Sequence, residues 1–392
     1  MRSPTLVLLL AVLAAACSST TVAETPSSPD AGAEVPATAA LGLNDVSVLV
    51  PIPASPAAPG ALGPTDAGAR GELLTQAIYD KIPKFGVKPA QGLDYARMRA
   101  VAIRFDGCFP GKSGCEEQIR IVMQPITDDG KTLDSALHLF YRLTPEELPS
   151  LVQELRRMRT LAPEVKDAPL DVHAALAAQG LEGAYGKALR DLVLKRCGEQ
   201  NFVRMTFFLR APPRQEEWFF GGFDRDPADG KMTQLDIVGV GKQNQRVDRP
   251  ITPEGYTYTF TPSPKTPEDI DVLLTSEAAK AATPEARQAA LAGLMRIENP
   301  GKYGPDQLSC AGCHVATFVR EATNKAFGLD GAKLPDAFTS SRDLSLRGES
   351  RSTVSSLRAF GYFDDKPMIA NRIVNESAAV VDDLEKRFPP KK

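Results

Sequence analysis

The chain has 392 residues, 43% of them hydrophobic and 24% charged, values ordinary for soluble globular protein and a length comfortable for two domains. A formal net charge of −3 gives no electrostatic ground for binding nucleic acid or an anionic membrane surface. No Gly-rich phosphate loop, HExxH or GxSxG string occurs, so neither nucleotide chemistry nor the common hydrolase signatures are indicated.

Arg2 precedes an apolar run, Leu6 to Ala16, of about eleven residues. A bilayer span needs ~20 residues, so this run reads as the core of a signal peptide over residues 1–16. Ala14-Ala15-Ala16-Cys17 resembles the lipobox of bacterial lipoproteins, in which the cysteine is lipidated and becomes the new N-terminus. Ordinary cleavage after Ala16, leaving a free thiol, is the alternative. Residues 17–42 are rich in Ser, Thr, Ala and Pro and are expected to form a flexible tether, because so few large apolar groups cannot offset ordering entropy. The expected location is therefore the periplasmic side of a bacterial membrane, and Ser18 and Ser19 after Cys17 resemble the outer-membrane pattern more than the inner.

From residue 43 to 266 the pattern alternates strands and helices. Val46, Val48 and Val50 alternate, and a Pro/Ala/Gly-rich loop precedes a helix expected over 72–81. Val101, Ile103 and Phe105, then Ile119, Ile121 and Met123, read as half-buried strands. Between them lie turn formers from Asp106 to Cys115, which would place Cys108 and Cys115 at the two roots of a hairpin loop, close enough for a stapling disulfide. Further strands are expected over 137–143, 202–209, 217–222, 234–240 and 256–261. Two helices interrupt them. Thr144, Pro145 and Glu147 form a capping-box opening for the first, and the second spans 184–195. Together these elements predict an α+β domain, mostly antiparallel sheet with two helices.

A second unit, 267–392, is expected to be small and all-α. Thr283 and Pro284 open a helix that Asn299-Pro300-Gly301 stops, and a last helix is expected over 369–388. Between them stands Cys310-Ala311-Gly312-Cys313-His314, the C-x-x-C-H string of covalent haem attachment. Two thiols three residues apart on one helical turn can each add to a porphyrin vinyl group, and the next residue aims its imidazole at the iron. A redox-active thiol pair would follow a strand in a βαβ unit, whereas a proline/glycine loop precedes here. A zinc site would need a second Cys/His pair, and the sequence has none.

These residues resemble the c-type cytochromes, particularly their small single-haem class, over about residues 280–390. The resemblance implies one haem c held by Cys310, Cys313 and His314, and a methionine before the C-terminal helix as the sixth iron ligand. Met368 fits that order. The sequence departs from the family in having no proline until Pro335 after His314, and in the loop between the preceding helix and Cys310. If the sixth ligand is a histidine it is His138 or His173, although His138 reads more simply as a sheet residue and His173 as a capping or surface residue. Met295, Met232 and an open sixth position remain alternatives. Phe360, Tyr362 and Phe363 are candidate haem-pocket lining, and Trp218, Phe219 and Phe220 with Phe207 and Phe208 read as sheet core. Of the six cysteines, Cys197 is left without a role.

The resemblance implies one-electron transfer with a redox protein partner, the first domain docking that partner or positioning the haem. A mono-haem enzyme with an open sixth position and a haem-based sensing lipoprotein are the rival expectations.

Overall fold

The computed structural model describes residues 39–83, 94–111, 114–162, 168–210, 217–226, 228–252, 255–264, 268–346 and 357–390, without the side chains of 108–111, 114, 115 and 251. The expected signal peptide and Cys17 lie outside the described residues, and so do the Cys108 and Cys115 side chains that the expected disulfide concerns.

The fold is α+β, built on one antiparallel sheet that among the described residues has nine strands. In chain order these are β1 (Ser47–Leu49), β2 (Met98–Gly111), β3 (Gly114–Pro125), β4 (Ala136–Arg142), β5 (Phe202–Arg210), β6 (Glu217–Arg225), β7 (Met232–Gln234), β8 (Gln245–Asp248) and β9 (Thr259–Thr261). Their spatial order is β1-β2-β3-β4-β5-β6-β8-β9, with β7 paired to the far end of β6. Nearly every step joins strands adjacent in sequence, as hairpin-connected antiparallel sheets do.

Alternation along the strands sends one set of residues into a large apolar core. Ile119, Ile121 and Met123, then Leu137, Leu139 and Tyr141, cluster there with Leu151 and Leu155 of helix α1 (Glu147–Arg159) and Leu189 and Leu192 of α2 (Ala184–Arg196). Glu147 Oε2 accepts from the Thr144 backbone N–H at 2.9 Å, half of the expected capping box. A second core forms at the β6–β8–β9 end, where Trp218, Phe220 and Val247 meet Leu291 and Leu294 of α3 (Pro284–Glu298) and Val315 and Val319 of α4 (Cys310–Phe327). Thr283 caps α3 by accepting from Ala286 N–H.

The last helix, α5 (Asn371–Arg387), packs beside β2, and its Val374, Val381 and Leu384 belong to the first core. One fully buried carboxylate, Glu298, joins the three C-terminal helices: it accepts from Thr317 Oγ1 at 2.8 Å, Arg320 Nε at 2.7 Å and Asn371 Nδ2 at 3.0 Å.

Several expectations change here. The segment after 266 is not set apart as an all-α unit, because residues 37–392 form one compact unit and the second core mixes side chains from both sides of that boundary. That segment also carries a strand pair, β10 (Phe360–Phe363) and β11 (Lys366–Ile369). The expected loop over 106–115 is largely strand, bulged between Asp106 and Phe109. The strand expected over 234–240 gives way to β7, and β8 was not foreseen, since Gln245-Arg246-Val247-Asp248 holds one apolar residue. The helix expected over 72–81 shrinks to Gln76–Tyr79, and the strand at 256–261 to β9. No helix of the described residues is long and apolar enough to cross a membrane.

Candidate functional site

Helix α4 opens at Cys310 itself, so the cysteines and His314 occupy its first turns. Ser309 caps it, Oγ accepting from Gly312 N–H at 3.1 Å, and Gln245 Oε1 on β8 accepts from Ala311 N–H at 2.9 Å. Both bonds satisfy donors that a helix N-terminus leaves without partners, and the second fastens the motif to the sheet. Ala311 is fully buried in the second core, a place that admits only a small side chain where helix meets sheet.

Cys310, Cys313 and His314 all line one cavity of about 540 Å³ between α4, the sheet and α5. That volume falls within the roughly 300–1,000 Å³ typical of sites for cofactor-sized ligands. The two cysteines are not joined to each other. Burial pushes the Cys310 thiol up to about 12, with the charge of Cys313 adding to it, and burial raises Cys313 as well, so both are neutral thiols at pH 7.

His314 is held on three sides. Its Nδ1 donates to the Leu357 carbonyl at 2.5 Å, Phe208 stacks parallel to the ring with centroids 5.7 Å apart, and Phe220 leans on it at 4.7 Å. A carbonyl only accepts, so Nδ1 carries the proton and Nε2 keeps its lone pair in the neutral ring. Burial holds the imidazole down, to about 4, against the opposing pull of the Leu357 bond. The carbonyl comes from 43 residues further along the chain.

Leu357 is itself anchored. The next residue, Arg358, donates to Asp134 Oδ1 at 3.1 Å and lies over the Phe208 ring, while Trp218 Nε1 donates to Asp134 Oδ2 at 2.8 Å. Trp218 is thus not mere sheet core: through Asp134 and Arg358 it fixes the segment that orients His314.

The sheet supplies the facing wall in three rows set by strand register. Phe208 and Phe220 pair across β5 and β6 beside His314. The next row runs Ala102, Val122, His138, Thr206 and Gly222 across β2 to β6. The third runs Arg104, Arg120, Phe140, Arg204 and Asp224. The wall therefore grades from aromatic to strongly charged. At the charged end Arg104 Nη1 donates to Glu376 Oε2 of α5 at 2.7 Å, Arg120 Nε to Asp106 Oδ2 at 2.5 Å, and Arg204 to Asp224 and Asp306 at 2.5 and 2.6 Å.

His138 lines the cavity and makes no hydrogen bond among the described residues. Burial, then the charge of His314, holds its ring down, to about 3, so it too is neutral at pH 7. Phe360 lines the cavity as expected; Tyr362 and Phe363 do not, and the Tyr362 hydroxyl donates instead to Val50 O at 2.8 Å. Met368 is buried in β11 opposite Gly361 and does not line the cavity, so the position expected for the sixth ligand is a core position in a hairpin. Met232 and Met295 are likewise absent from the lining. His173 is fully buried and stacked on Tyr185 at 4.1 Å, away from the cavity, with neither ring nitrogen hydrogen-bonded; the expected surface role does not hold. Cys197 is a buried free thiol at the end of α2.

Among the described residues no group of three or more His, Cys, Asp or Glu side chains is placed to hold a bare metal ion. A haem asks less of the chain, because the porphyrin supplies four nitrogens and the protein only axial ligands and thiols. The residues present fit that group: two unpaired thiols and an imidazole with its tautomer fixed on one wall, and a wall opposite that grades from apolar to ion-paired. No family model, no curated protein and no solved structure matches this chain.

Proposed function

We propose that this chain holds one haem c covalently through Cys310 and Cys313, with His314 as an axial ligand, and exchanges single electrons with a redox protein partner. It does so in the oxidising space outside a bacterial cytoplasmic membrane, tethered by a lipid on Cys17. The observation that carries the reading is that Cys310, Cys313 and His314, its Nδ1 tied to the Leu357 carbonyl, all line one cavity of about 540 Å³.

When bound, the haem supplies a one-electron Fe(III)/Fe(II) couple. The chain's own residues do the rest. The Leu357 carbonyl fixes the His314 tautomer and makes its Nε2 a better donor. Phe208 and Phe220 exclude water from the imidazole side, which raises a haem potential. Arg104, Arg120 and Arg204, each paired with a carboxylate of the chain, make the far end of the cavity polar, which would suit the propionate edge of a haem better than its apolar body. This reading keeps the attachment chemistry of the cytochromes c without a separate cytochrome domain, and makes the sheet part of the haem site.

The test is expression of the full chain in a periplasm with haem-maturation machinery. Haem surviving a denaturing gel, and lost in Cys310→Ala/Cys313→Ala, is the expected result, together with a reversible one-electron titration. Folded wild-type protein without covalent haem would sink the reading.

A further inference from the structure

We propose that the second axial ligand of that haem is His138, contributed by the sheet across the cavity from His314. The inference rests on the haem reading and adds the residue that completes the iron's coordination.

Four observations point there. Haem iron in proteins is ligated by imidazole, thiolate, thioether or phenolate. Among the described residues lining the cavity, the side chains of those kinds are Cys310, Cys313, His314 and His138; no methionine and no tyrosine lines it. The cysteines belong to the attachment and His314 to the near side, which leaves His138.

Its place in the wall is also right. Its neighbours in the row, Val122 and Thr206, also line the cavity, so small or apolar groups flank the one imidazole. The aromatic row lies on one side of it and the ion-paired row on the other, so His138 stands between the apolar and the polar ends of the wall. Finally, neither ring nitrogen of His138 is tied up in a hydrogen bond among the described residues, whereas the ring of His314 is tied by Nδ1. A polar ring facing a cavity without a partner is expected to have one when the site is filled.

The competing position, Met368, is 4% exposed and pairs into the β10–β11 hairpin away from the lining. A thioether there would have to leave a packed strand to reach iron.

The experiment compares ferric and ferrous absorption spectra and carbon monoxide binding of the full-length holoprotein with those of His138→Ala and Met368→Leu. Wild type should be low-spin in both oxidation states, lack the weak long-wavelength iron–thioether band, and bind carbon monoxide slowly. His138→Ala should keep its covalent haem, become high-spin, bind carbon monoxide at least tenfold faster, and return to low spin when free imidazole is added. That rescue separates a lost ligand from a damaged fold. Met368→Leu should leave the spectra unchanged. A His138→Ala protein that stays low-spin, a wild type that is already high-spin, or a spin change in Met368→Leu would each overturn the assignment while leaving the haem reading intact. A wild type without covalent haem would overturn both.

Discussion

Three residues within one five-residue stretch, Cys310, Cys313 and His314, supply one wall of the cavity, whereas the opposing wall draws its residues from five strands between Arg104 and Arg225. The first wall is local: its geometry follows from one helical turn and two bonds that cap it. The second exists only once strands are paired in one register, because a shift of one residue would turn His138 and its row to the other face. Under the proposed reading the near wall would carry the bonds to a cofactor, and the far wall would decide how it is seated. Disturbing each in turn separates the two roles.

The largest effect is expected where the walls are tied together. Asp134 joins Trp218 of the sheet to Arg358, the neighbour of the residue that holds His314, and both members of the ion pair are about 1% exposed. Removing one partner of such a pair typically costs about 3–5 kcal/mol. Urea unfolding of Asp134→Ala should show a loss of that size, and the same variant should alter the His314-side spectrum. A loss under about 1 kcal/mol would mean that the walls are held independently.

Acid should act on the charged end of the far wall. Burial favours the neutral form of Glu376, but Arg372, Arg104 and Arg120 outweigh it and hold its carboxyl down, to about 2. A carboxyl lowered on folding stabilises the native state above its ordinary value of 4.5 and loses that contribution as pH falls through 2. The contribution is on the order of 3 kcal/mol. Denaturation midpoints between pH 5 and pH 2 should fall steeply in wild type and less so in Glu376→Gln, which is already destabilised at pH 7. Equal slopes would remove Glu376 from the account.

The smallest effect should come from the near wall's own start. Ser309→Ala removes the Oγ that accepts from Gly312 N–H and should cost about 1 kcal/mol in thermal or urea unfolding. Haem attachment should continue, because the Gln245 bond still holds the helix start. Loss of attachment in Ser309→Ala would show that the near wall depends on its cap more than on the sheet.

The near wall was readable in the sequence because its chemistry is written in adjacent residues. Strand alternation gave β3 to β6 to within a few residues, and the Thr283-Pro284 start and Asn299 stop of α3 were legible from capping rules. The far wall was not. His138 sits between Leu137 and Leu139 and so reads as a sheet residue, which it is; that it faces a cavity follows from partners at Val122 and Thr206, which no local pattern announces. Met368 misled for the opposite reason. Its order before the last helix fits the cytochrome pattern, but Phe360 to Phe363 pair with it into a hairpin that the sequence did not signal. The division into two domains failed because β8 and β9, just before the supposed boundary, share one core with α3 and α4 just after it.

The Leu357 carbonyl and the helix that carries Arg372 and Glu376 come from the last stretch of the chain. Synthesis runs from the N-terminus, so the sheet precedes the thiols, and the thiols precede this roof. A chain that ends at residue 356 lacks the Leu357 carbonyl and, of the cavity lining, Ala359, Phe360, Arg372, Ile373 and Glu376. The last residues to be made therefore complete the lining and set the bond that aims the imidazole.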